Sequence, residues 1–117
     1  MDTARARILV LEDSVLVAMA VEDELIDRGY AVSLAATVAA AEMLAGTDHF
    51  AAALLDLHLP DGSPVALASR LARGGCRIAV VSGSDLDGVP PALAGHALFQ
   101  KPVMPARLAD WVDAILR

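Results

Sequence analysis

Short apolar runs and helical patterns alternate along this chain. Ile8–Leu11 is the first run, and it stops at Glu12 and Asp13. Ser14 can then cap a helix running to Arg28, with Val17, Val21 and Leu25 spaced four apart on one face. Glu24 and Arg28 stand where a carboxylate and a guanidinium can pair one turn apart, and Gly29 offers a left-handed stop. Tyr30–Leu34 reads as a second strand, Thr37 as the cap of a second helix through Ala45, and Gly46 as its stop. A third strand, Ala51–Leu55, ends at Asp56. Pro60, Asp61 and Gly62 then mark a turn between Leu57 and Pro64. The third helix is predicted over Val65–Arg73, ended by Gly74 and Gly75, and Arg77–Val81 is the fourth strand, ending at Ser82. Ala97–Gln100 makes a short fifth strand leading into Lys101 and Pro102. Pro105 opens the last helix, which presents Leu108, Trp111 or Val112, and Ile115 to a core.

Strands separated by helices in this rhythm predict a single α/β domain, with a parallel sheet covered by helices on both faces. Near-continuous apolar strands agree with burial on both sides. One connection breaks the rhythm. Only 19 positions separate Ser82 from Lys101, and Asp87-Gly88 and Pro90-Pro91 forbid a helix before Pro91. Gly95 follows after Ala92, Leu93 and Ala94, so a fourth helix is expected to be absent or one turn long. Leu93 is its best apolar anchor.

Composition narrows the function classes. Hydrophobic residues make up 56% of the chain and aromatic ones 3%, so the core must be built from Ala, Val, Leu and Ile. A formal charge of −6 argues against nucleic acid as a partner and against an anionic membrane surface. No apolar run approaches the ~20 residues that span a bilayer. Arg5 and Arg7 precede an apolar stretch, but Glu12 and Asp13 cut it too soon for a secretory leader. Cys76 is alone, which excludes an internal disulfide and a multi-cysteine metal site. A cytoplasmic location is the expectation.

The residues able to do chemistry fall at strand ends: Glu12 and Asp13, Asp56, Ser82 and Lys101. Ligands of open α/β sheets bind outside the carboxyl ends of the strands. Any one acid there is ordinarily a solvated turn residue, and Asp13 alone would read as a helix cap. Together they suit phosphoryl transfer. Three carboxylates repel one another unless a hard cation lies between them, and Mg²⁺ takes one or two carboxylates while keeping several waters. Lys101, the only lysine among nine basic residues, supplies a point charge for phosphoryl oxygens, and Ser82 a hydrogen bond.

The segments ILVLED, LLDLHLPDG, VVSGSD and FQKP together resemble the receiver domains of two-component response regulators. The resemblance covers essentially the whole chain, in the family's order. It implies a five-stranded parallel sheet of order 2-1-3-4-5, and Asp56 as the acceptor of a phosphoryl group from a histidine kinase or histidine phosphotransfer protein. It implies further that Asp13 and Asp56 bind Mg²⁺, Glu12 supports it through water, and the His58 backbone carbonyl completes the protein ligands. Ser82 and Lys101 would contact the phosphoryl oxygens, and Gly83 would leave room for them. Phe99 would be the aromatic switch residue that moves when Ser82 is drawn inward, and Pro102 would follow a cis peptide. Such a protein catalyses only its own phosphorylation and dephosphorylation.

Val15, Leu16 and Met19 begin the first helix beside this site, and they cannot all be buried if Val17, Val21 and Leu25 face the sheet. With Pro102, Val103 and Met104 they match the surface on which the family docks its phosphodonor. The expectation is a stand-alone switch, monomeric or weakly dimeric, that signals to an unidentified output protein or drains phosphate. A receiver within a hybrid histidine kinase pathway is the first alternative. A Mg²⁺-dependent phosphohydrolase is the second, disfavoured because His58 stands where such enzymes want an acid. His58 itself is either a tuner of phosphoryl lifetime or an exposed loop histidine. His49 and His96 read as surface residues, Cys76 as a small core or boundary residue, Trp111 as packing, and Asp85–Asp87 as an exposed acidic loop rather than a second cation site.

Overall fold

In the computed structural model, which describes residues 5–83 and 88–117, the apolar runs become the strands of one sheet. These are β1 (Arg7–Leu11), β2 (Ala31–Ala35), β3 (Ala52–Asp56), β4 (Arg77–Ser82) and β5 (Ala97–Gln100). All pairings are parallel, in the order β2-β1-β3-β4-β5. The helices are α1 (Val15–Asp27), α2 (Val38–Thr47), α3 (Val65–Arg73) and α4 (Pro105–Leu116).

Alternation along the strands divides the core in two. Leu9, Leu11, Ala53, Leu55, Ile78 and Val80 pack with Ala41 of α2 and Leu67, Ala68 and Leu71 of α3. Ile8, Val10, Ala52, Leu54, Ala79 and Val81 pack with Val21 and Leu25 of α1 and Leu108, Ala109 and Val112 of α4. Among the described residues, no helix is long and apolar enough to cross a membrane.

Two local expectations need correction. The buried face of α1 is Ala18, Val21 and Leu25, whereas Val17 is 43% exposed. A spacing of three then four follows the 3.6-residue period more closely than fours alone, which rotate Val17 off the sheet. Gly46 does not stop α2; the helix runs on to Thr47 and ends where Asp48 turns extended. Gly29 and Gly75 do adopt the left-handed conformation, with φ of +94° and +91°.

Between β4 and β5, the described residues include a 3-10 turn, Pro91–Leu93, and no α-helix. Leu93 is buried under α3 with the first core cluster, an anchor worth about 2 kcal/mol. Ser84, Asp85 and Asp87 lie outside the described residues. Cys76 is buried, and burial pushes its thiol up to about 12, which keeps it protonated and unreactive. His49 is exposed and His96 half-buried.

A polar clamp closes the α1–α4 side. Arg28 reaches Glu24 at 3.0 Å as the i,i+4 spacing predicts, and also Asp110 at 2.7 Å and Asp113 at 2.9 Å on α4. The Tyr30 hydroxyl donates to Asp113 as well. That hydrogen bond, helped by Arg28, holds the Asp113 carboxyl below its ordinary pKa. The folded state thus binds this proton more weakly than the unfolded chain does. The contribution to stability is fully present above the ordinary Asp value of about 4 and fades as pH falls through the lowered one. Urea titrations should show wild type more stable than Asp113→Asn at pH 7, with the gap closing towards pH 3. A gap of constant size would remove Asp113's charge from the account.

Candidate functional site

β1 and β3 are neighbours in register, so the chain leaving each strand delivers its acids to the same rim. Glu12 follows Leu11 directly, and its backbone N–H bonds the Ala35 carbonyl at the end of β2. The Glu12 side chain is buried. Its Oε2 accepts from the Ser14 N–H at 3.0 Å, which fixes the turn into α1. Ser14 also caps α1, its hydroxyl accepting from Val17 N–H. Asp13, between them, stays exposed.

Asp56 follows Ala52 and Leu54 in the strand alternation and is 4% exposed. Its Oδ1 accepts from the His58 N–H at 3.0 Å, and its Oδ2 from Lys101 Nζ at 3.0 Å. Lys101 also donates to Glu12 Oε1 at 2.9 Å. One ammonium therefore bridges carboxylates that arrive 45 and 89 residues away in the chain. Desolvation alone would make Lys101 easier to deprotonate. The hydrogen bonds to Glu12 and Asp56 overcome this and hold its pKa above the ordinary lysine value.

Carboxylate oxygens of Glu12, Asp13 and Asp56 lie within 4.8 Å of one another. Among the described residues this is the one such cluster of His, Cys, Asp or Glu. Like charges about 4 Å apart repel by about 4 kcal/mol at the effective dielectric of a protein surface. Lys101 offsets one charge of three. The donor set is all oxygen, partly buried and still net negative, which fits a hard divalent cation and not a thiophilic metal.

The remaining expected residues surround this cluster. Ser82 is wholly buried at the end of β4, and its carbonyl accepts from Lys101 N–H at 2.7 Å, extending the β4–β5 ladder by one residue. A Cβ built on Gly83 would lie 4.0 Å from Lys101 Cδ, so position 83 leaves space beside the lysine stem. Lys101-Pro102 is cis. His58 is exposed, with its backbone turned to Asp56. Phe99 is half-buried, edge-on to Trp111 at 6.5 Å and beneath the Arg107 guanidinium at 5.6 Å. Trp111 thus packs as expected, but against the candidate switch residue. Val15, Leu16, Met19 and Met104 are 67%, 82%, 49% and 72% exposed, and Pro102 is exposed beside them. Val103 is half-buried.

Two features escaped the sequence reading. A cavity of about 360 Å³ opens beside the cluster, lined by Val10, Leu54 and Val81 of the sheet, Val17 and Val21 of α1, and Val103 and Leu108. Glu12, Asp56 and Lys101 form its polar wall. No aromatic stands at any of the lining positions, which was the available signal. Asp61, read only as a turn former, instead reaches α2, through bonds across more than twenty residues that no local pattern announces.

Comparison with solved structures finds the same architecture elsewhere. The CheY-like receiver domain protein of Methanospirillum hungatei JF-1 superposes with a TM-score of 0.85 at 27% identity, over 97% of this chain and 94% of that one. A response regulator protein from Burkholderia pseudomallei, solved with a phosphorylated aspartic acid, a calcium ion and citrate, gives 0.77 at 28% identity, over 94% and 72%. The chemotaxis response regulator CheY4 of Vibrio cholerae gives 0.80 at 20% identity, over 97% and 100%. No protein-family model and no curated protein sequence matches the chain.

Lys101 and a divalent cation should compete for the same negative charge. Replacing Lys101 by Ala should leave Mg²⁺ binding unchanged or up to about tenfold tighter by calorimetry. A large loss of Mg²⁺ affinity in that variant would contradict this charge balance.

Proposed function

We propose that this chain, which is a CheY-like response-regulator receiver domain, serves two-component signalling by accepting a phosphoryl group on Asp56. The observation that carries the reading is the convergence of Glu12, Asp13 and Lys101 on one buried carboxylate. The phosphorylated aspartate and the calcium ion in the Burkholderia pseudomallei relative support it.

In the proposed step, an Asp56 carboxylate oxygen attacks the phosphorus of a phosphohistidine on a histidine kinase or phosphotransfer protein. The new P–O bond forms as the P–N bond breaks. The electron pair returns to the imidazole nitrogen, which takes a proton from water, and the product is an aspartyl phosphate. Positioning and charge neutralisation do most of the catalysis. Lys101 turns from the carboxylates to the phosphoryl oxygens, Ser82 donates a hydrogen bond to them, and Gly83 leaves the approach open. Glu12, Asp13, Asp56 and the His58 carbonyl are the groups that would hold Mg²⁺, whose charge would offset that of the phosphoryl oxygens.

Val15, Leu16, Met19, Pro102, Val103 and Met104 form the donor-docking surface, and the adjoining cavity takes an apolar side chain of the donor. The signal leaves through Phe99. When Ser82 and Lys101 move towards the phosphoryl group, Phe99 gains room and its contact with Trp111 changes. Output then goes to a protein partner. The short Pro91–Leu93 turn does not supply the helix on which many receivers build a symmetric dimer, so the loop or α1 carries the signal instead.

Acetyl phosphate with Mg²⁺ should add one phosphoryl group to wild type and none to Asp56→Asn, read by intact mass. Equal phosphorylation of the two proteins would sink the assignment. The phosphorylated protein should keep its unphosphorylated oligomeric state in light scattering while Trp111 emission changes. A phosphorylation-dependent dimer through the face formed by the β4–β5 connection, β5 and α4 would overturn the output reading.

A further inference from the structure

We infer that Asp61 is a positioning residue of this site, fastening the loop after β3 to the start of α2 and so fixing His58 relative to Asp56. The inference rests on the reading of Asp56 as a metal-dependent phosphoacceptor.

Both carboxylate oxygens of Asp61 are engaged. Oδ1 accepts from Val38 N–H at 2.9 Å and Oδ2 from Ala39 N–H at 3.0 Å. Thr37, the helix's own cap, takes the next amide, Ala40 N–H, at 3.1 Å. Three consecutive amides of the first turn are thus satisfied, two of them from a loop more than twenty residues away. These backbone bonds hold the Asp61 carboxyl below its ordinary pKa, so it stays charged where a helix N-terminus favours negative charge.

The loop's first residues are also tied to the strands. Its first amide, Leu57 N–H, still bonds Val81 of β4 at 2.9 Å. Beyond that, the His58 N–H bonds Asp56 and Leu59 packs on the first core cluster, while His58 and residues 60–63 are exposed and the Leu59–Gly62 bridge is internal to the loop. The α2 start also leads back to the other side of the site. It follows β2, whose last residue, Ala35, accepts from Glu12 N–H at 3.0 Å. Asp61 therefore closes a ring: Asp56, the His58 loop, Asp61, the β2–α2 corner, Ala35 and Glu12. Groups on opposite sides of the acidic cluster are held by one corner of the fold. Cutting the ring at Asp61 loosens the loop that carries the His58 carbonyl without removing any carboxylate of the cluster.

The test measures Mg²⁺ affinity by calorimetry, and phosphorylation by acetyl phosphate across a range of Mg²⁺ concentrations, in four proteins: wild type, Asp61→Ala, Asp61→Asn and Thr37→Ala. Circular dichroism confirms folding, and Asp61→Asn, which keeps one acceptor oxygen, covers the case in which Asp61→Ala does not fold. Asp61→Ala should bind Mg²⁺ about tenfold more weakly, the usual size of a lost supporting contact, with Asp61→Asn in between. Saturating Mg²⁺ should restore most of the phosphorylation rate, so the defect lies in the Mg²⁺ requirement rather than in the maximal rate. Thr37→Ala weakens the same helix terminus without touching the loop and should bind Mg²⁺ like wild type. Wild-type Mg²⁺ affinity in both Asp61 variants would overturn the inference, as would an equal loss in Thr37→Ala, which would make helix stability the cause. A wild-type protein that neither binds Mg²⁺ nor takes a phosphoryl group would instead overturn the reading of the site itself.

Discussion

The Lys101 ammonium, shared between Glu12 and Asp56, is the contact on which the arrangement of this domain turns. Two buried carboxylates side by side are tolerable only with a cation between them, because burying charge without a partner costs several kcal/mol. Sheet order decides where that cation can come from. β1 and β3 are adjacent, and β5 lies two strands from β3 across β4, roughly 10 Å at ordinary strand spacing. Only a long side chain leaving the end of β5 can cross that gap. At position 83 beside it, a Cβ would make only ordinary contact with the lysine stem, at 4.0 Å.

Side-chain volume shapes the surroundings of the site. Tyr30, Phe99 and Trp111 all pack on the α1–α4 side of the sheet, but the cavity lining near the strand ends holds no aromatic, and its Val and Leu side chains do not fill the space. The cavity beside Asp56 results. Val17 lies at its edge because the helix period turns it away from the sheet, and the exposed Val15, Leu16 and Met19 follow from the same geometry. An apolar rim around a charged centre thus arises from helix phase and side-chain volume together.

Most of the fold was legible because its signals are local. Strand ends at Glu12, Asp56, Ser82 and Lys101 fall where polarity changes, and α3 and β5 have the predicted bounds. Pro90-Pro91 and Gly95 were enough to exclude a long helix between β4 and β5. Glu12, Asp13, Asp56 and Lys101 do come together, since strand order carries the strand ends to one rim. What stayed hidden was tertiary or fine in phase. Gly46 can sit inside a helix as well as end one, and Val17 differs from Ala18 by a single 100° step. Arg28's partners on α4 lie more than eighty residues away, and Asp61's on α2 more than twenty. A turn-forming Asp-Gly pair explains itself locally, which conceals a carboxylate aimed at another element.

A shared counter-ion also makes the site responsive by construction. Lys101 cannot change its hold on Asp56 without changing its hold on Glu12, because one ammonium serves both. Its backbone is bonded to Ser82 and lies two residues from Phe99. Phe99 in turn touches Trp111 and Arg107 on α4, the helix that Asp110 and Asp113 clamp to Arg28 of α1. On the proposed reading, a change of charge at Asp56 is passed, through a single ammonium and one aromatic ring, to the helix pair on that face of the sheet. Coupling of this kind needs no movable domain. It needs only that the cation be scarce, and in a chain with one lysine it is.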